Sequence, residues 1–138
     1  MSQQRRLAIS LLCLRLGIFL VMLMWTFDKF VRPDHAIGVF STFYGLNGLD
    51  VQMAYVLAAL ELVLLLAFVA GFARRWSYGI VLLLHGVSTL SPWRQYSQPF
   101  EGANLMFFAA WPMLAACVAL YLLRDSDTYT FRSRGRSH

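Results

Sequence analysis

Residues 51 to 73 read VQMAYVLAALELVLLLAFVAGFA, a run of 23 residues in which Glu61 is the one charged side chain. As a helix it is about 34 Å long, at 1.5 Å per residue, and the hydrocarbon core of a bilayer is about 30 Å thick. Two more stretches have the same character, Leu7 to Phe27 and Asn104 to Leu123. A shorter one, Trp76 to Leu90, follows the Arg74-Arg75 pair. It is expected to cross as well, because a single turn cannot return the chain to the side where the basic C-terminus belongs. The sequence therefore predicts an all-α membrane protein, a four-transmembrane-helix bundle in one domain over residues 1–125. Residues 126–138 form a polar, arginine-rich, flexible tail in this reading.

Composition agrees with lipid as the solvent. Hydrophobic residues make up 59% of the chain and charged residues 14%, and the mean hydropathy is +0.57, outside the range of soluble domains. No small-residue cleavage site follows the first run, which is also too long for the core of a signal peptide, so it is expected to be retained. The net charge of +5 does not point to nucleic acid, because the basic residues gather beside the apolar runs and in the tail. Arg5, Arg6, Arg74, Arg75, Arg124, Arg132, Arg134 and Arg136 fall on one side, and Lys29, Arg32 and Arg94 on the other. By the positive-inside rule both termini are expected in the cytoplasm.

Two outer loops complete this topology. DKFVRPDHAIGVFSTFYGLNGLD joins the first two runs, and its Pro33, Gly38, Gly45 and Asn47-Gly48 argue against one continuous helix. Phe40, Phe43 and Tyr44 make a short interfacial or re-entrant segment the expectation there. The second loop, SPWRQYSQPFEGAN, is rich in proline and aromatics. Trp25, Trp76 and Trp93 fall near membrane boundaries, as an aromatic belt requires.

Charges inside such helices are costly, so they are expected to face inward and find partners. Counted along the helices, Arg15 lies roughly 12 Å in from the cytoplasmic end, His85 roughly 14 Å, and Glu61 near the centre of its run. A buried Arg15–Glu61 pair with His85 beside it is the simplest expectation. Lys29 is two heptads beyond Arg15, and Asn104 and Trp111 are one heptad apart, so each set shares a helical face. A polar file from an outer mouth of Asp28, Lys29, His35, Arg94, Glu101 and Asn104 inward past Trp111 and His85 to Glu61 would be a site for a ligand or for protons. The same groups also serve a purely structural role if they only hold helices together.

CLRLGIFLVMLMWTFDKFVRP and ALELVLLLAFVAGFARR together resemble the first two helices of the DoxX-like membrane proteins. An arginine followed by a glycine, a lysine before a proline-containing loop, and an intramembrane glutamate carry the likeness. His85 and Asn104 fit the third and fourth helices, and the resemblance covers about residues 7 to 125. Leu64, Leu65 and Leu66 stand where family members place glycines. The resemblance implies a multi-pass protein of a bacterial-type inner membrane. It further implies a subunit of a quinone-linked redox or oxidative-stress system, with a redox-complex partner or a second copy of itself.

On that reading Arg15, Lys29, Glu61, His85, Asn104 and Trp111 bind a quinone-like ligand or relay protons, with Phe107 and Phe108 near its ring. The alternatives are a membrane scaffold or assembly factor without a ligand and a small-solute transporter. The inverted repeats common in transporters are absent from the sequence. Membrane lipid is a partner in each case, and nucleic acid in none. Quinone is the only cofactor implied. With no CxxC and no metal-ligand spacing in the sequence, Cys13 and Cys117 are expected to be buried reduced thiols, and no tightly bound metal is expected. In a chain with both cysteines replaced by alanine, Ser97→Cys is expected to react with a membrane-impermeant thiol reagent in intact cells and Ser137→Cys to be protected. The opposite pattern inverts the topology.

Overall fold

The computed structural model describes residues 1–45 and 47–130, and all the regular elements among them are helical. Helix α1 spans Gln3–Val31, α2 Pro33–Tyr44, α3 Val51–Ala70, α4 Arg74–Leu90, α5 Trp93–Ser97 and α6 Ala110–Leu122. Two 3₁₀ segments, Asn104–Ala109 and Arg124–Ser126, flank α6. Three stretches are long and apolar enough to cross a membrane: Gln3–Val31, Val51–Ala70 and Asn104–Leu122. Helix α4, with 17 residues, is about 25 Å long.

The boundaries follow from local chemistry. Ser2 caps α1 by accepting from the Arg5 N–H, and Asp50 caps α3 by accepting from the Met53 N–H at 2.8 Å. Pro33 begins α2, where its missing N–H costs nothing, and Gly45 ends it in the left-handed region at φ 65°. The punctuation that argues against a continuous helix thus brackets a helix of 12 residues, with only Gly38 inside it. The last apolar run is split by Pro112. An α-helix continuing upstream would press the proline ring on the Phe108 carbonyl. The chain winds as 3₁₀ to Ala109, and α6 starts at Ala110 with Pro112 in its first turn.

Helix α1 packs on α3 and α6, and α4 packs on α6 and α3, so the four long helices close a ring. Helix α2 lies against α1 and α3. The core within the ring is built from Leu11, Ile18, Met22, Leu65, Phe68, Tyr78, Val81, Cys117 and Leu120. Outward faces remain apolar: Leu20, Leu60, Leu83 and Leu122 are all more than half exposed. Of an apolar 18-residue window in each of these three stretches, only 28, 22 and 11% is buried inside the protein. An aqueous surface of that kind would be far larger than the apolar patches soluble monomers carry.

Two expectations are corrected here. Cys13 is exposed on the outside of α1 and does not face the buried Cys117, and both are free. The bundle also does not end at residue 125. Asp127 is completely buried, so the chain re-enters the helical ring where a flexible tail was expected. The rest of that tail, residues 131–138, with Arg132, Arg134 and Arg136, lies outside the described residues.

Gly71 shows how closely the returning chain is held. It ends α3 in the left-handed region at φ 73°, and a Cβ there would overlap the Thr130 side chain. Gly45 has a similar φ but open space around it. Gly45→Ala is expected to lose about 1–2 kcal/mol, the ordinary cost of a left-handed alanine. Gly71→Ala is expected to lose more in the same denaturation assay, and equal losses would mean that the contact with Thr130 contributes nothing.

Candidate functional site

The polar residues of the apolar helices fall into three separate groups. The first gathers around Arg15, which is 2% exposed. Its Nη1 donates to Asp127 Oδ2 at 2.6 Å and to the Tyr78 hydroxyl at 3.3 Å, and its Nη2 donates to the Tyr129 carbonyl. Tyr78 in turn donates to the same Asp127 oxygen. Arg74, at the start of α4, donates to the carbonyls of Arg124 and Asp127, both at 2.7 Å. Two helices and two arginines therefore hold the segment that follows α6. Arg15 Nε and Asp127 Oδ1 have no hydrogen-bond partner among the described residues, so each ion depends heavily on the other.

The expected Arg15–Glu61 pair is not formed, for a reason of height. Phe68 meets Tyr78 edge-on at 5.2 Å, which puts Phe68 near the level of Arg15. Glu61 is seven residues, about 10 Å, farther along α3. Its partner is Lys29, whose Nζ donates to Glu61 Oε2 at 2.8 Å. The two side chains keep 13% and 18% exposure, so this second group is partly open. Phe30 stacks on Tyr55 at 6.1 Å beside it. One residue before Lys29, Asp28 pairs with Arg32 at 2.6 Å and with His35 Nδ1 at 2.6 Å. His35 also stacks on Trp25. These contacts pin the start of α2 to the end of α1.

The third group lies between α4 and the start of α6. His85 is buried, with Nε2 at 3.0 Å from the Ala110 carbonyl. Thr89, one turn on, donates to the His85 carbonyl. Tyr96 of α5 donates toward the Thr89 and Phe107 carbonyls, at 2.7 and 3.3 Å, and its ring packs on Phe108 and Trp111. Burial raises the Tyr96 pKa, which keeps the hydroxyl a donor. Asn104 spends its amide N–H on the Gln98 carbonyl in the loop.

Of the six residues expected to form one site, Lys29 and Glu61 meet. Arg15 and His85 each find a different partner. Asn104 caps a loop, and Trp111 packs on Tyr96 with 42% of its surface exposed. The expected outer mouth divides in the same way, with Asp28 of α1 paired to His35 of α2 and Arg94 stacked over its neighbour Trp93. Neither of two surface recesses is lined by any of the six. Among the described residues, no cluster of three His, Cys, Asp or Glu could hold a metal.

The residues that sequence reasoning missed are Asp127, Tyr78 and Arg74. One signal was available, since Asp127 is an acid just beyond an apolar run, on the same side as the N-terminal half of α1.

Arg15→Leu or Asp127→Leu is each expected to destabilise the fold by about 3–5 kcal/mol, and the double change by less than either. Breaking Lys29–Glu61 is expected to cost about 1 kcal/mol. A double-mutant cycle should find Arg15 coupled to Asp127 and additive with Glu61; coupling of Arg15 to Glu61 would refute the pairing. Compared with protein-family models, with curated proteins and with solved structures, the chain matches none.

Proposed function

We propose that this chain is a four-span integral membrane protein of the DoxX-like type, a subunit or scaffold that carries no chemistry of its own. One observation supports this reading best. The charged side chains and the histidine expected to form a site are bonded within the chain: Arg15 to Asp127, Lys29 to Glu61, and His85 to the Ala110 carbonyl. Groups so engaged specify the packing of a bundle and are not free to receive a substrate. In the proposal α4 is also a span, the third of four, bringing both termini to the cytoplasmic face of an inner membrane. The hydrogen bonds of Arg74 to the segment after α6 support that even number of crossings.

A second reading keeps a ligand, and the partial exposure of Lys29 and Glu61 favours it. A quinone headgroup that entered there would take a hydrogen bond from Lys29 at a carbonyl, and its quinol form would donate to Glu61. The Phe30–Tyr55 stack offers an aromatic flank. Electron transfer would then belong to a partner in a redox complex.

Tryptophan quenching separates the two. A short-chain quinone titrated into the purified chain is expected to give only non-saturable quenching, the same in Glu61→Gln as in the unaltered protein. Saturable quenching that Glu61→Gln abolishes would replace the scaffold reading with the quinone one.

A further inference from the structure

The recess between α4 and α6 has a composition that the bundle core does not explain. Its volume is about 300 Å³, and it is lined by Arg75, Trp76, Gly79, Ile80 and Leu83 of α4 and by Tyr121 of α6. Gly79 opens it, since even a Cβ there would come within 3.3 Å of the Tyr121 ring. Its floor is aliphatic and its two rims are aromatic. Each rim carries an arginine: Arg75 lies 5.8 Å from the Trp76 ring and Arg124 lies 4.6 Å from the Tyr121 ring. Arg124 also donates to the Tyr121 carbonyl at 2.7 Å, which fixes it there. Among the described residues neither arginine has an acidic partner, and Asp125, the nearest acid in sequence, pairs with neither. Among the described residues no side chain caps the N-terminus of α4 beside them, so the positive end of that helix adds to the same field.

From this geometry we infer that the recess binds one anionic phospholipid, with an acyl chain along Gly79, Ile80 and Leu83 and the phosphate between Arg75 and Arg124. Charge complementarity selects the occupant. An acyl chain alone would be satisfied by any outward face of the bundle, whereas two unpaired arginines held on aromatic rings above a groove match a phosphodiester at the membrane boundary. Trp76, 68% exposed, stands at the level where interfacial tryptophans meet headgroups. Arg74 does not take part, because it is committed to the Arg124 and Asp127 carbonyls. The inference rests on the membrane-spanning reading above.

The test uses the full chain in vesicles of equal phosphatidylglycerol and phosphatidylcholine, extracted in mild detergent and weighed with its bound lipid by native mass spectrometry. One phosphatidylglycerol is expected to be retained about tenfold or more over phosphatidylcholine. Arg75→Gln is expected to cut that preference about fivefold, the size typical of one basic residue at an anionic surface. Adding Arg124→Gln should abolish it. Gly79→Leu, which fills the recess, should reduce retention of both lipids. Arg94→Gln, at the other end of the bundle, should change nothing. Equal retention of the two lipids by the unaltered chain, or a preference that survives loss of both arginines, overturns the site. A Gly79→Leu chain of unchanged helix content that keeps both lipids places them elsewhere and also overturns it. Alkaline carbonate distinguishes the two levels of failure. A chain released by carbonate refutes the membrane-spanning reading, and one that stays inserted without lipid preference refutes this site alone.

Discussion

Burying an arginine in an apolar bundle is tolerable only if a carboxylate comes to it, and here the carboxylate arrives from the end of the described chain. Arg15 and Asp127 are 112 residues apart in sequence, so their pairing closes the molecule end to end. That closure explains several local features together. The chain must turn sharply after Leu122, which the 3₁₀ segment Arg124–Ser126 does. Gly71 must lack a side chain so that Thr130 can pass. Arg74 must supply donors to the returning backbone, because carbonyls outside a helix ladder have few other partners in an apolar setting.

The middle of the bundle is held differently. Leu11, Ile18, Leu65, Val81 and Leu120 interdigitate without polar help, and in lipid such packing gains little from the exclusion of water. Specific polar contacts then decide which helix faces which. His85 joins α4 to α6, Lys29 joins α1 to α3, and Arg15 with Tyr78 joins α1 to α4. Each contact links two different helices, so together they fix the order around the ring.

How much of this the sequence showed depends on the range of each signal. The long helices were legible because apolar runs are local signals, whereas the caps at Asp50 and Gly71 and the helix that starts at Pro33 came only with the structure. Arg15, Glu61 and His85 stood out too, since a polar group in such a run has few innocent explanations, whereas Asp127 and Tyr78 did not. The pairing of the charges was not legible. Arg15 and Glu61 look level when each is counted from the end of its own apolar run. Helices need not start level, and α1 extends by more than three turns ahead of Arg15. Reading the chain after residue 125 as a loose tail then removed Asp127 from consideration, although a lone buried arginine demands an acid from somewhere. Composition dominated by arginine and serine hid one short, buried stretch.

Two ion pairs in one bundle, both bridging distant parts of the chain, differ in what they leave open. Arg15–Asp127 is sealed, flanked by Tyr78 and backed by Arg74, so its electrostatics are strong and its protons have no ready exchange path. Lys29–Glu61 keeps an accessible face, and in that environment a pair is weaker. The half of the bundle that includes Arg15 is therefore closed from solvent, and the half that includes Lys29 is partly open. A third arrangement sits between them in character. Arg75 and Arg124 are not buried, but rest on aromatic rings at the rims of an apolar recess, where a cation is held in place without being neutralised. Charges neutralised inside the protein stabilise it, whereas charges held in place and left unneutralised at its surface are available to something outside it.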